Sequence, residues 1–508
     1  MRNTHQYPRI GFVSLKVIRY KLNTMCFSRT AKCPVSTQVS KTANIFRASS
    51  RSLPSPNGAY IAIALRSKLC VLETRCLEII REMSLPSELV VSWFSWSLSS
   101  NRILIGSTDM LLVFSVTNSQ ELASITNPTS CLTKASLVVF GSKDYELLIF
   151  YEFGLRLSII NLITSNVIDI PSIKLYGPTN ATRGFSYRPG TTDLSLLTRS
   201  GGKDIISLHT ADTFDVFKSW FPGTIDAQGM SWSPDGKWLV VCESASHGPK
   251  MLIYTADGQL FKTWQANVGS GIGIRLSQWS PNGVQIAFTN YSQTVNIINM
   301  PSFTPNFKLV HTAAVNVTRS CSKKFVKQIW QEQTSRIESG YNHKFVQVTK
   351  ELYIPRSSIG RDELKIGVNS MSFDKSGSLL ATKIEESSTT VWIWDLITCM
   401  LRDVFVLQAT VAKILWHPTI DRQLMVLCEG EEARRFVYFW HPSWSAPHIF
   451  DFAAHLSEGR VLGRTVTRWI QTESLNPTLY FSDSQECVLI RFRAMDDSSD
   501  AWHLSKPR

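Results

Sequence analysis

Met230-Ser231-Trp232-Ser233-Pro234-Asp235-Gly236-Lys237-Trp238-Leu239-Val240-Val241 is the stretch that decides the fold. A short apolar run ends in Trp232, four turn-forming residues follow, and a second apolar run begins at Trp238. Proline pre-sets the first corner of the turn and aspartate favours the second. Glycine takes the left-handed position needed to re-enter a twisted strand. The stretch therefore reads as a hairpin joining two short, buried strands. The same grammar recurs: Ser280-Pro281-Asn282-Gly283 follows Gln278-Trp279, and Ser55-Pro56-Asn57-Gly58 precedes Tyr60-Ile61-Ala62-Ile63.

A third apolar run follows at a similar distance in each unit. These runs are Met251-Leu252-Ile253-Tyr254, Val295-Asn296-Ile297-Ile298 and Val391-Trp392-Ile393-Trp394-Asp395. The last ends in Trp394-Asp395, the pair that gives the WD repeat its name. Aligned on the turn, the units are anchored at Pro56, Leu98, Ser142, Pro189, Pro234, Pro281, Lys375, Pro418 and Gln471. Most spacings lie near the roughly 40–45 residues of a propeller blade, and the longest is twice one of the others. A helical repeat would place apolar residues at a period of about 3.6, whereas these are strand-length runs between Gly, Pro, Asn and Asp. The expected fold is all-β, a WD40-type β-propeller of about nine repeat units, as one large array or two unequal propellers.

The expected organisation is a basic, disordered extension over 1–42 and six WD units over 43–315. A basic insertion or degenerate blade covers 316–365, three more units cover 366–495, and a tail covers 496–508. The Gly-His pair that usually opens a blade is nearly absent, with His311 its best remnant. Most blades are thus expected to lack the buried His/Ser/Trp/Asp relay and to rely on apolar packing. The segment 316–365 sets Lys323, Lys324 and Lys327 beside Trp330. A basic patch with an aromatic is a candidate contact for an acidic partner, weighed against a solvated hairpin.

The net charge of +13 is concentrated at one end. Twelve basic residues, from Arg2 to Lys68, precede the first acid, Glu73, so the remainder of the chain is close to neutral. Such a body does not present a phosphate-binding face, and nucleic acid is not expected as a partner. The acid-free N-terminal segment has three open readings: a mitochondrial transit peptide, a basic arm for an acidic partner, or an unselected extension. The ten cysteines include no CxxC pair, which points to inert free thiols rather than a metal site. The longest apolar run, Leu147 to Ile160, is interrupted by Glu152 and Arg156 and is too short for a membrane span.

No catalytic constellation emerges. Gly269-Ser270-Gly271-Ile272-Gly273 lacks the following Lys-Ser/Thr of a phosphate loop, no G-x-S-x-G elbow occurs, and the histidines show no HExxH pairing. His417 and His441 precede turn prolines. The adjacent Glu385-Glu386 read as solvated loop carboxylates. The expectation is a non-enzymatic protein without cofactor, metal or small-molecule substrate.

Two groups of residues carry a family resemblance. One runs from Gly229-Met230-Ser231-Trp232 through Ala256-Asp257-Gly258-Gln259-Leu260 to His311-Thr312-Ala313-Ala314-Val315-Asn316. The other joins Lys365-Ile366-Gly367-Val368 to Leu379-Leu380-Ala381-Thr382 and the Trp394-Asp395 strand. In order and spacing they resemble the WD-repeat proteins of centrosomes and spindle poles that anchor microtubule minus ends. The resemblance implies a scaffold in the cytoplasm and cytoskeleton, at the spindle pole body or centrosome. It also implies two partners, a coiled-coil anchoring protein and a minus-end-directed kinesin. Two other readings remain: a large-propeller translation initiation factor-like protein that binds ribosome or RNA, and a mitochondrial propeller protein supported only by residues 1–42.

Overall fold

A computed structural model describes residues 13–21, 51–126, 135–174, 184–265, 272–315, 328–356, 367–452 and 462–493, with short interruptions inside the longer stretches. Among the described residues nine sheets have four or more strands, and strands consecutive in sequence are neighbours in space. This is the architecture of WD40-type propeller blades, each an antiparallel meander. Eight blades occupy 51–84, 93–126, 135–171, 185–220, 227–265, 274–310, 368–406 and 411–451, and the ninth takes three strands from 466–493. They are numbered 1 to 9 below. The chain divides into two compact units, residues 94–451 and residues 1–93 with 452–508.

The turn chemistry read from the sequence is what closes the first hairpin of a blade. In blade 5, Ser233 N–H donates to the Trp238 carbonyl at 2.8 Å and Gly236 N–H to the Ser233 carbonyl at 2.9 Å. The Ser233 hydroxyl donates to Asp235 at 2.5 Å, and Trp238 N–H donates back to Ser233 Oγ at 3.0 Å. Gly236 sits at φ +67°, and a Cβ there would lie 2.6 Å from the Pro189 carbonyl oxygen of blade 4. Glycine is thus required twice, for its conformation and for the close approach of the neighbouring turn.

The core lies between the sheets. Leu239, Val241 and Leu252 of blade 5 face Leu197, Ile206 and Leu208 of blade 4, while Val240, Ile253 and Cys242 on the other side face Ile286, Phe288 and Ile298 of blade 6. Strand alternation therefore loads both faces of one sheet with apolar residues, each fully buried side chain contributing roughly 1.5–3 kcal/mol. Indole N–H groups tie blades together as well: Trp232 donates to Ser195 Oγ at 2.8 Å and Trp416 to the Ser372 carbonyl at 2.8 Å.

The link entering blade 4 carries a buried ionic knot. Lys174 Nζ lies 2.8 Å from Asp204 and 2.6 Å from Asp226. Arg199 reaches Asp226 at 3.0 Å, while Asp204 also accepts Ala227 N–H at 2.6 Å and the Thr224 hydroxyl at 3.1 Å. Nearby, Glu243 accepts the N–H groups of Ile225 and Asp226 at 3.0 and 2.7 Å.

In the unit formed by 1–93 and 452–508, blade 9 draws its outer strand from the other end of the chain. Val13–Lys21 pairs antiparallel with Glu486–Arg493, from Val13 opposite Arg493 to Lys21 opposite Glu486. The stretch whose basic composition suggested a disordered extension thus contributes a strand to a sheet. Blade 9 also packs on blade 1: Ile470, Tyr480 and Leu489 join Ile61, Ile63 and Leu72 in one cluster.

Candidate protein-interaction site

The double-length spacing after Pro281 is an insertion joined to blade 7 rather than a separate blade. Ala314–Val315 pairs with Leu352–Tyr353 at the base of the inserted segment. Between them Gln328–Ile337 and Gly340–Gln347 form a hairpin with an unbroken register from Trp330 opposite Gln347 to Ile337 opposite Gly340. Its first strand adds in parallel to the outer strand of blade 7, with Gln328 opposite Asp403 and Gln331 opposite Val406. The resulting sheet has six strands. Alternation fixes the attachment: Ile329 enters the core between blades 6 and 7, and its neighbour Trp330 enters the core between blades 7 and 8.

Glu332 locks the hairpin in place. Its carboxylate is buried and accepts the Tyr438 hydroxyl of blade 8, His343 Nδ1–H of the second hairpin strand and Gln408 N–H, each at 2.9 Å. The Thr334 hydroxyl adds a bond to Gln408 Oε1 at 2.7 Å. Burial, with the Cys428 thiol and Glu332 beside it, holds the Tyr438 hydroxyl well above its ordinary range. The phenol therefore stays a donor. Three protein donors on one carboxylate make Glu332 an anchor.

The residues singled out from sequence fall differently. Lys323, Lys324 and Lys327 lie outside the described residues. Trp330 is only 4% exposed and cannot serve as a surface contact, a correction with a simple cause: strand alternation turns its indole into the core. Trp394 and Asp395 are structural. Asp395 Oδ1 accepts the N–H groups of Ile397 and Thr398, both at 3.0 Å, and so fixes the turn after its strand.

His311 completes a relay in blade 7. Its Nδ1–H donates to the Gln293 carbonyl at 2.8 Å, which leaves Nε2 to accept the Thr382 hydroxyl at 2.8 Å. Thr382 Oγ1 in turn accepts the Trp394 indole N–H at 2.8 Å. A backbone carbonyl therefore stands where an aspartate would complete the usual set. Burial lowers the His311 imidazole to about 4, so it is neutral in the folded protein. Thr382 and Glu332 escaped the sequence reading, although a lone hydroxyl in the run Leu379-Leu380-Ala381-Thr382 is a legible signal.

The pair Glu385-Glu386 also needs correction, because both are partnered rather than solvated. Glu386 is buried and accepts Gln293 Nε2–H at 2.9 Å and Gly367 N–H at 3.1 Å. Glu385 accepts Asn369 Nδ2–H at 2.6 Å and meets Arg275 at 3.3 Å. The loop must donate to them because it packs against the preceding blade. Among the described residues no group of three or more His, Cys, Asp or Glu could hold a metal ion, and no helix is long and apolar enough to cross a membrane.

On the outside of the hairpin, Gln333, Ser335, Asn342, Lys344 and Gln347 are exposed, as are Lys350 and Tyr353 at its base. The arrangement is a polar, rigidly held projection on the perimeter of the blades.

No family model matches the sequence. Among curated proteins the chain is similar to an uncharacterised WD repeat-containing protein of Schizosaccharomyces pombe. The identity is 23% over 358 residues, covering 69% of this chain and 70% of that one. It is also similar to WD repeat-containing protein WRAP73 of Mus musculus, at 22% over 406 residues, 77% of this chain and 84% of the relative. Among solved structures, the C-terminal WD40 domain of Sif2 is matched with a TM-score of 0.42 and 10% identity, over 86% of this chain and 93% of that one. The chain is a WD repeat-containing β-propeller protein, distantly homologous to the two curated relatives.

Proposed function

We propose that this chain is a non-catalytic scaffold of the spindle pole body or centrosome. It holds a coiled-coil anchoring protein and a minus-end-directed kinesin together so that microtubule minus ends stay anchored. The observation that carries the scaffold reading is the hairpin of Gln328–Ile337 and Gly340–Gln347, clamped through Glu332 and Trp330 to two blades. A projection held this rigidly loses little conformational freedom when a partner binds. The buried ionisable groups support the same reading, since Glu332, Asp204 and Glu386 are engaged by protein donors that hold blades and insertion together. The spindle-pole assignment is supported by the resemblance of the His311–Asn316 segment and the Lys365–Val368 re-entry to the pole-associated family.

The test is the localisation of two tagged forms in dividing cells: the full chain, and a form with 328–347 replaced by a short Gly-Ser link. Residues 1–42 stay in both, because Val13–Lys21 is a strand of blade 9. The full chain is expected at the poles, and the hairpin-less form dispersed although folded by circular dichroism. A full chain found in mitochondria, or spread evenly through the cell, would sink the pole assignment. A hairpin-less form still concentrated at the poles would move the docking surface elsewhere.

A further inference from the structure

We propose that the free edge of Gly340–Gln347 takes up an extended, acidic segment of a partner protein as an additional strand of the blade 7 sheet. The inference deepens the scaffold reading and rests on it only in supposing a protein partner; the cellular address plays no part. Three observations support it.

The first is the edge itself. Among the described residues Gly340–Gln347 is the last strand of its sheet, pairs with Gln328–Ile337 alone, and runs through eight residues without a register shift. The outer strands of blades 1, 4, 5 and 6 each meet their neighbour with a register shift near their start, and those of blades 2, 3 and 8, which pair without one, do so over only four or five residues. Bulges and twists of that kind discourage edge pairing, and Gly340–Gln347 has neither a bulge nor a proline. Alternate residues along such an edge direct N–H and C=O groups outward. The sheet has already grown in this direction, since Gln328–Gln331 adds to blade 7 beyond its own four strands.

The second is what lies beneath. On the inner side of the strand a small apolar cleft is lined by Phe345, Phe405, Val426, Tyr438, Trp440 and Pro447. The Phe345 ring sits 5.8 Å from Tyr438 and 6.1 Å from Phe405. A strand added at the edge would hang every second side chain towards this face and the others towards solvent beside Lys344. The matching segment therefore alternates apolar with acidic residues.

The third is charge. The strand itself carries Lys344 and no acidic residue, and Lys350 is exposed at the base of the hairpin. Two copies of this edge would set like charge against like charge, whereas an acidic strand is attracted. Charge complementarity thus selects an acidic partner segment over a second copy of the chain.

The experiment uses the full chain and a fluorescent peptide alternating valine with glutamate, matched in length to the strand. Binding is expected, with amide hydrogen exchange slowed across 340–347. The same peptide N-methylated throughout should not bind, because it has lost its backbone donors. Lys344→Glu should weaken binding about fivefold, with unchanged thermal stability, while Lys344→Arg binds like the original. Equal binding by the N-methylated peptide, or binding that leaves exchange across 340–347 unaltered, would overturn the proposal. So would sedimentation showing a dimer that Lys344→Glu dissolves, which would assign the edge to a second copy. None of these outcomes bears on where the chain resides in the cell.

Discussion

The links entering blade 4 and blade 7 meet the same demand with opposite chemistry. Each leaves the outer strand of one blade and must bury polar groups on its way into the next. At blade 4, Lys174 is held between Asp204 and Asp226. At blade 7, neutral His311 joins Thr382 and Trp394 in a chain of hydrogen bonds that ends on the Gln293 carbonyl. The repeat dictates that something polar be satisfied there, not which residues do it. A charged joint tolerates loss of a partner poorly, because the remaining charges stay desolvated. A neutral joint risks only unmade hydrogen bonds, so it is the milder arrangement and the less sensitive to salt.

That contrast can be broken by mutation. Lys174→Met should have the largest effect, about 3–5 kcal/mol lost in urea unfolding, because buried Asp204 loses its nearest cation and the more exposed Arg199, 3.7 Å away, compensates only in part. Adding Asp204→Asn should recover part of the loss; no recovery would mean that packing, not charge, dominates this joint. Thr382→Val should cost less, about 2–3 kcal/mol, by stranding His311 Nε2 and the Trp394 indole N–H. Its cost should be the same at low and high salt, and a strong salt dependence would show that the joint is not electrically neutral.

The smallest effect sharpens the comparison through pH. His311 is lowered from its ordinary 6.5 to about 4 by burial, so its contribution is fully present above about 6.5 and is lost as the pH falls towards 4. Stability of the unit 94–451 should therefore decline over that window. His417, lowered to about 4 by burial and then by Lys375, adds to the decline. Asp403 opposes it: burial, only partly offset by Arg402, raises its carboxyl to about 7, which favours the folded state at the acid end. Asp403→Asn should remove that opposition and steepen the acid loss by on the order of 1 kcal/mol in pH-dependent melts. An unchanged slope would show that Asp403 titrates as it does in the unfolded chain.

The turns were legible because they are local. Ser-Pro-Asp-Gly and its variants specify a hairpin within a few residues, and the anchors from Pro56 to Gln471 fall at the first hairpin of successive blades. Anchors that lack the Ser-Pro-Asp-Gly motif, such as Ser142, are located by spacing. What escaped were polar partnerships across the chain: Glu332 with Tyr438, Lys174 with Asp226, and His311 with Thr382. Nothing near these residues in sequence names the partner. Trp330 was misjudged for the opposite reason, since its lysine neighbours suggested a surface that strand alternation denies it. The strand Val13–Lys21 is hidden by its basic composition and by the distance in sequence to its partner Glu486–Arg493.

That strand also sets a timetable. Val13–Lys21 is synthesised long before its partner Glu486–Arg493. At about 5–20 residues per second, it waits roughly half a minute to a minute and a half for that partner. Throughout this interval blade 9 does not exist, and blade 1 lacks the packing of Ile470, Tyr480 and Leu489. Synthesis that stopped before Glu486 would leave the early strand with no partner, however completely the intervening blades had folded. The pairing thus serves as a checkpoint: a polypeptide that stops short of Glu486–Arg493 cannot complete this sheet.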